Sequence, residues 1–137
     1  EGTLLAVKKG ARLVFIDAEG SLLENALSLK PRAGSVAAVK KISRRSPIVF
    51  LRTSMIGGGM VKSWLRDHGF PAAPVLPWSK GDVFREMRDK HLVIRAVIGR
   101  QEVVESAREY KPLAFTFDAV GGEQSVQGWD DVVKGIK

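Results

Sequence analysis

Five short runs of strand-forming residues, amphipathic stretches between them, and proline or glycine at the joints predict an α/β fold. The runs cover residues 13–16, 48–51, 75–76, 92–98 and 113–117. Strand and helix in steady alternation argue for a mainly parallel sheet with helices on both faces, joined by right-handed crossovers. The expected architecture is a capless, Rossmann-like three-layer sandwich formed by residues 1–137 as a single domain.

The first run ends in an acid, Asp17, directly after Val14-Phe15-Ile16, and is followed by Ala18-Glu19-Gly20-Ser21-Leu22-Leu23. In open α/β sheets the carboxyl edge of the strands is where ligands bind. Pro31 is placed to open a helix in which Val36, Val39 and Ile42 keep helical spacing, and Pro47 precedes the second strand. Ile56-Gly57-Gly58-Gly59-Met60 reads as a strand-to-helix loop, because it lacks the Lys-Ser/Thr of a P-loop and the spacing of a dinucleotide fingerprint. Met60, Val61, Trp64 and Leu65 follow with helical spacing, and Gly69 before Phe70-Pro71 suits a helix C-cap. Lys80 is expected to open the next helix, which carries Val83, Phe84 and Met87. Val103, Val104 and Ala107 mark a further helix, and residues 129–136 suit a short final helix on the sheet.

The composition narrows the partners. The chain has 137 residues, enough for one domain with a real core. With 45% hydrophobic and 27% charged residues it is an ordinary globular balance. Apolar runs stay well short of the roughly 18–20 residues that span a bilayer. Zero cysteines exclude disulfides, zinc-thiolate sites and a cysteine nucleophile. The absence of cysteine and of an initiator methionine is compatible with a processed chain, or with a periplasmic or membrane-attached domain. A net charge of +7 favours anionic partners such as phosphate esters, acidic lipid headgroups or nucleic acid. The plainer reading is a solvated surface of scattered basic residues. His68 and His91, the only histidines, have no second metal ligand at useful spacing and read as surface residues.

The run from Val14 to Leu23 resembles motif I (Asp-x-Asp-Gly-Thr-Leu-Leu) of the haloacid dehalogenase-like phosphohydrolases. That resemblance implies that Asp17 is a nucleophile forming a phosphoaspartate. It makes Glu19, one methylene longer than the family's aspartate, the general acid and base. The family's second motif is a strand ending in Ser or Thr. Here Arg52 falls at that position and Thr53 one residue later. Either Arg52 grips a phosphate through paired hydrogen bonds, or Thr53 supplies the hydroxyl after a local bulge. Lys80 takes the place of the third-motif lysine that neutralises the phosphate.

The fourth motif departs. A strand followed by Gly-Asp and a second acid normally holds magnesium, which prefers octahedral oxygen ligands. In Val97-Ile98-Gly99-Arg100-Gln101-Glu102-Val103-Val104-Glu105, Arg100 replaces the first aspartate and Val104 a common second acidic position. Arg100 is effectively always charged, and it is placed to pair with Asp17 and Glu19 instead of a metal. No metal or other cofactor is therefore expected. Within the superfamily, Pro31-Arg32-Ala33-Gly34 and Val61 through Pro71 resemble the phosphatase-like domain shared by lipins and phosphatidylinositol-transfer proteins, and related phosphatidate phosphatases. Some members of that group hydrolyse phosphatidic acid, and others are thought to recognise it without catalysis.

Three functions follow as expectations. The first is a catalytically degenerate phosphohydrolase-like domain, a pseudophosphatase that binds or scaffolds. Arg52, Thr53, Lys80 and Arg100 would serve a phosphorylated small molecule or acidic lipid headgroup, with a protein partner also open. The second is an active, atypical magnesium phosphatase using Asp17, Glu19 and Lys80, with Glu102 or Glu105 as a relocated ligand. The third is a basic nucleic-acid-binding domain, against which stands the lack of a recognised binding motif or aromatic platform.

Overall fold

In a computed structural model of the chain, residues 10–22, 30–52, 58–117, 126 and 128–136 are described. The strands are β1 (Arg12–Asp17), β2 (Ile48–Arg52), β3 (Val75–Pro77), β4 (Val93–Ile98) and β5 (Leu113–Phe115). The helices are α1 (Ser35–Ser43), α2 (Gly58–Asp67), α3 (Asp82–Asp89), α4 (Gln101–Ser106) and α5 (Trp129–Gly135). A π-helical turn, Ala18–Leu22, follows β1, and a 3-10 turn, Ser79–Gly81, precedes α3.

All strand pairs are parallel and the order is β3-β2-β1-β4-β5, the arrangement of a Rossmann-like three-layer fold. The central strand explains why β1 is an unbroken apolar run. Leu13, Val14, Phe15 and Ile16 are all fully buried because both faces of the strand are covered. Val14, Ile16, Phe50 and Ile98 pack under α1, α2 and α5. Leu13, Phe15, Val49 and Val97 pack under α3 and α4, where Phe15 meets Phe84 edge-on at 5.2 Å. Alternate residues therefore serve opposite layers, which is the period-two pattern of strands.

Gly69 is a helix cap as its sequence setting predicts. It adopts φ 84°, the Phe70 N–H donates to the Leu65 carbonyl at 3.0 Å, and the Gly69 N–H to that of Arg66 at 3.1 Å. That is a Schellman closure, completed by Phe70 and Leu65 entering the same apolar cluster. Three local expectations are corrected. Pro31 does not open α1, which starts at Ser35 after Gly34 in the left-handed region. The Arg32 N–H instead donates to the Leu22 carbonyl at 2.6 Å, holding the lead-in extended. Gly58 and Gly59 are not loop but the first turn of α2, where the N–H groups lack intrahelical partners anyway. Lys80 does not open α3 but lies in the 3-10 turn ahead of it. It has φ 53° and ψ 32°, left-handed values, one turn ahead of α3. The connection from β1 to α1 spans only residues 18–34, too short for an inserted domain of the usual ~50 residues or more. No helix among the described residues is long and apolar enough to cross a membrane.

Candidate functional site

The strand order creates one natural crevice. The chain leaves β1 through α1 on one face, and leaves β4 through α4 on the other. Neighbouring strands whose connections diverge in this way open a gap at their carboxyl ends, the usual ligand position in such sheets. Asp17 is the last residue of β1. Ile16 is level with Ile98, so Gly99 and Arg100 emerge from β4 beside it.

Asp17 is fully buried, and Arg100 closes on it. Both the Arg100 guanidinium, through Nε, and the Arg100 backbone N–H donate to Asp17 Oδ2, each at 3.1 Å. The guanidinium side chain is 37% exposed, so the pair is buried on the acid's side and solvated on the base's. Bonds of this charge-assisted kind are roughly twice as strong as neutral ones. The backbone of Arg100 is extended, at the residue before α4, and its carbonyl accepts from the Val103 and Val104 N–H groups at 3.0 Å. Asp17 therefore satisfies an N–H that the helix start leaves without an intrahelical partner.

Gly99 makes the approach possible. A Cβ at this residue would lie 2.5 Å from Asp17 Cβ, closer than two side chains can pack. The requirement is steric and not one of backbone angle.

Behind Asp17 the π-helical turn folds back on the strand end. Ser21 Oγ donates to the Asp17 carbonyl at 2.5 Å. The Ser21 carbonyl in turn accepts from Trp129 Nε1 at 3.1 Å and from Arg32 Nε at 3.2 Å. Arg32 also lies 4.4 Å from the Phe117 ring centroid. The start of α5 and the approach to α1 are thereby tied to the turn that follows the acid. Ser35 Oγ, at the first residue of α1, is buried without a hydrogen-bond partner among the described residues.

Arg52 and Lys80, also singled out in the sequence, lie on the same edge. Arg52 ends β2, half-buried, one residue beyond Leu51, which is level with Asp17. Its carbonyl accepts from the Trp78 N–H at 3.0 Å. That bond anchors a turn in which Ser79, Lys80 and Gly81 all have positive φ. Trp78 Nε1 donates to Ser106 Oγ at 2.9 Å, fastening the turn to the end of α4. A Cβ on Gly81 would stand 3.0 Å from Ser106 Cβ, so this junction is tight. Left-handed backbone costs a non-glycine residue roughly 1–2 kcal/mol, and here it holds Lys80 exposed at the strand ends. Among the described residues neither Arg52 nor Lys80 forms an ion pair with an acid. Glu19 belongs to the π-helical turn, and Thr53 lies outside the described residues.

The described residues around Asp17 do not suit magnesium. Val104 is buried in the apolar layer under β4. Glu105 is exposed and engaged on its own helix, accepting from Gln101 Nε2 at 2.8 Å and pairing with Arg108 at 3.4 Å. Glu102 faces solvent. Among the described residues no group of three or more histidines or acids gathers as a metal set. The cation beside Asp17 is Arg100, and the described residues do not assemble an oxygen shell for a metal there. His68 is exposed and packs on Trp64 at 4.6 Å, and His91 is exposed at the turn into β4.

Sequence reasoning singled out Asp17 and Arg100, and the structure brings them into contact. It missed the steric role of Gly99 and the anchoring roles of Ser21, Arg32 and Trp129. A glycine directly between a strand end and Arg100 was the available signal for the first. The others depend on contacts between residues up to 108 positions apart. Compared with known proteins, the chain matches no family model, no curated protein and no solved structure.

Proposed function

We propose that this chain is a phosphohydrolase-like domain of the haloacid dehalogenase type that lacks magnesium-dependent hydrolysis and serves as an anion-binding or scaffolding module. The observation that carries the reading is the contact of Arg100 with the buried Asp17 carboxylate. A nucleophilic carboxylate needs an exposed lone pair and a metal or its equivalent to bring the phosphate in. Here one oxygen of Asp17 already accepts two hydrogen bonds from Arg100, which withdraws electron density and holds the acid as a structural anion.

Arg52 and Lys80, which pair with no acid among the described residues, supply the positive field that an anionic ligand needs. The ligand class this favours is a phosphate monoester, carried either by a small molecule or by an acidic lipid headgroup. The motif likeness to lipin-type domains supports the lipid source, and the charge alone fits both.

The experiment is magnesium-dependent phosphate release from phosphatidic acid and from an aryl phosphate, with Asp17→Asn as the control. The expected result is no release above the control, together with phosphate binding that weakens about tenfold in Lys80→Gln, as for loss of one charge-assisted hydrogen bond of ~1.5 kcal/mol. Turnover that Asp17→Asn abolishes would instead establish an active phosphatase with Asp17 as nucleophile.

A further inference from the structure

The amino edge of the sheet, opposite the Asp17 crevice, gathers a second set of charges. Three chain segments lie side by side there. The Val14 N–H donates to the Pro47 carbonyl at 3.0 Å, joining the start of β1 to the lead-in of β2. The Gly10 N–H donates to the His91 carbonyl at 2.7 Å, and the Val93 N–H to that of Ala11 at 2.9 Å, joining β1 to the lead-in of β4. Arg95 Nη1 reaches Ser46 Oγ at 3.4 Å across the same edge.

These segments carry Arg12, Arg44, Arg45 and Lys90, while Lys40 and Lys41 stand on the last turn of α1, which runs into them. All six are exposed, and among the described residues none forms an ion pair with an acid. The nearby acids do not cancel them. Among the described residues Asp89 is paired with Arg88 at 3.6 Å, and the exposed Glu86 of α3 and Glu109 beside Tyr110 are outnumbered by the six cations.

Two of these lysines are explained by the negative end of the α1 dipole. That account does not extend to Arg12 on a strand, nor to Arg44, Arg45 and Lys90 in turns. A second observation concerns apolar surface. The large hydrophobic side chains that stand exposed among the described residues are Val93 and Leu113, each 44% exposed, and both begin strands at this edge. Val93 is level with Arg12 in the sheet.

We infer that the amino edge of the sheet is a docking surface for an anionic lipid bilayer, with Arg12, Lys40, Lys41, Arg44, Arg45 and Lys90 meeting the headgroups and Val93 and Leu113 entering the interface. Basic residues that face a bilayer gain from the negative surface potential, each lysine or arginine by about fivefold in binding. Exposed aliphatic groups add burial at the headgroup boundary. A single-stranded nucleic acid would call for aromatic rings on which bases stack. Tyr110 at this edge is half-buried and faces the Arg88 guanidinium at 5.6 Å, and the open apolar groups are aliphatic. Docking in this way leaves the Asp17 edge turned toward water, so the inference does not depend on the anion site proposed above.

The test is flotation of the chain with vesicles of phosphatidylcholine, alone or mixed with phosphatidylserine, at low and at physiological salt. The chain is expected to float with the mixed vesicles and not with phosphatidylcholine alone. Lys40→Gln, Lys41→Gln, Arg44→Gln and Arg45→Gln together are expected to lower that binding by at least about fiftyfold. Val93→Ser is expected to lower it a few-fold with the charge unchanged, while Lys62→Gln with Arg85→Gln, exposed in the halves of α2 and α3 nearer the far edge, leaves it nearly unaltered. Absence of flotation at low salt overturns the inference, as does an equal loss from the far-edge variant. Tighter binding to a DNA or RNA oligonucleotide that Val93→Ser leaves untouched would reassign the surface to nucleic acid.

Discussion

The Asp17 site and the amino edge of the sheet treat positive charge in opposite ways. At the carboxyl edge Arg100 is drawn onto a fully buried carboxylate and its charge is spent inside the molecule. At the amino edge Arg12, Arg44, Arg45 and Lys90 are exposed and, among the described residues, form no ion pair with an acid. An internally paired cation is part of the fold, whereas a row of unpaired ones repels itself and is tolerated only at a modest cost. The difference separates structure from encounter. The carboxyl edge is built to be occupied by its own residues at Asp17, and the amino edge is left open to something from outside.

The comparison breaks most sharply at Gly99. Alanine there would place a Cβ 2.5 Å from that of Asp17, and overpacking in a filled site typically costs ~1–3 kcal/mol. Chemical denaturation of Gly99→Ala should show a loss near the top of that range. A loss below about 0.5 kcal/mol, the usual scatter of surface changes, would mean that β1 and β4 do not approach as closely as described. The amino edge should respond in the other direction. Arg44→Gln with Arg45→Gln should leave stability within about 0.5 kcal/mol of the parent, or raise it slightly as repulsion is relieved. A large loss there would show that these side chains are tied into the fold.

Much of the architecture was legible because strands buried on both faces must be written as continuous apolar runs, as in Leu13 through Ile16 and Ile48 through Leu51. Gly69 was legible because a left-handed cap strongly favours glycine. Ser79 and Lys80 were not, since left-handed backbone in ordinary residues carries no sequence mark and is imposed by anchors such as Trp78 on Ser106. Pro31 misled because a proline suits an extended lead-in as well as a first helical turn. At the site, Arg100 beside Asp17 followed from where one strand ends relative to another. The role of Gly99 did not, because it depends on the lateral order β1-β4, which places residues 82 positions apart in contact. The basic edge was hidden for the same reason. Its charges come in ones and twos along the chain, and only the parallel sheet brings residues 12, 44–45 and 90 together.

Arg100 is an integral partner of the buried Asp17 carboxylate, and in the function proposed above its cation takes the place of a metal. A double-mutant cycle on stability with Arg100→Ala and Asp17→Asn tests it most directly, since the coupling isolates the pair from other effects of each change. Removing one partner of a fully buried pair costs ~3–5 kcal/mol. The half-open guanidinium lowers the expected loss for Arg100→Ala to about 1–3 kcal/mol. The account predicts a coupling energy of about 1–2 kcal/mol, with Arg100→Ala costing little once Asp17 is already asparagine. A coupling indistinguishable from zero would contradict it, and would leave the Asp17 carboxylate available for the chemistry that the pairing is held to replace.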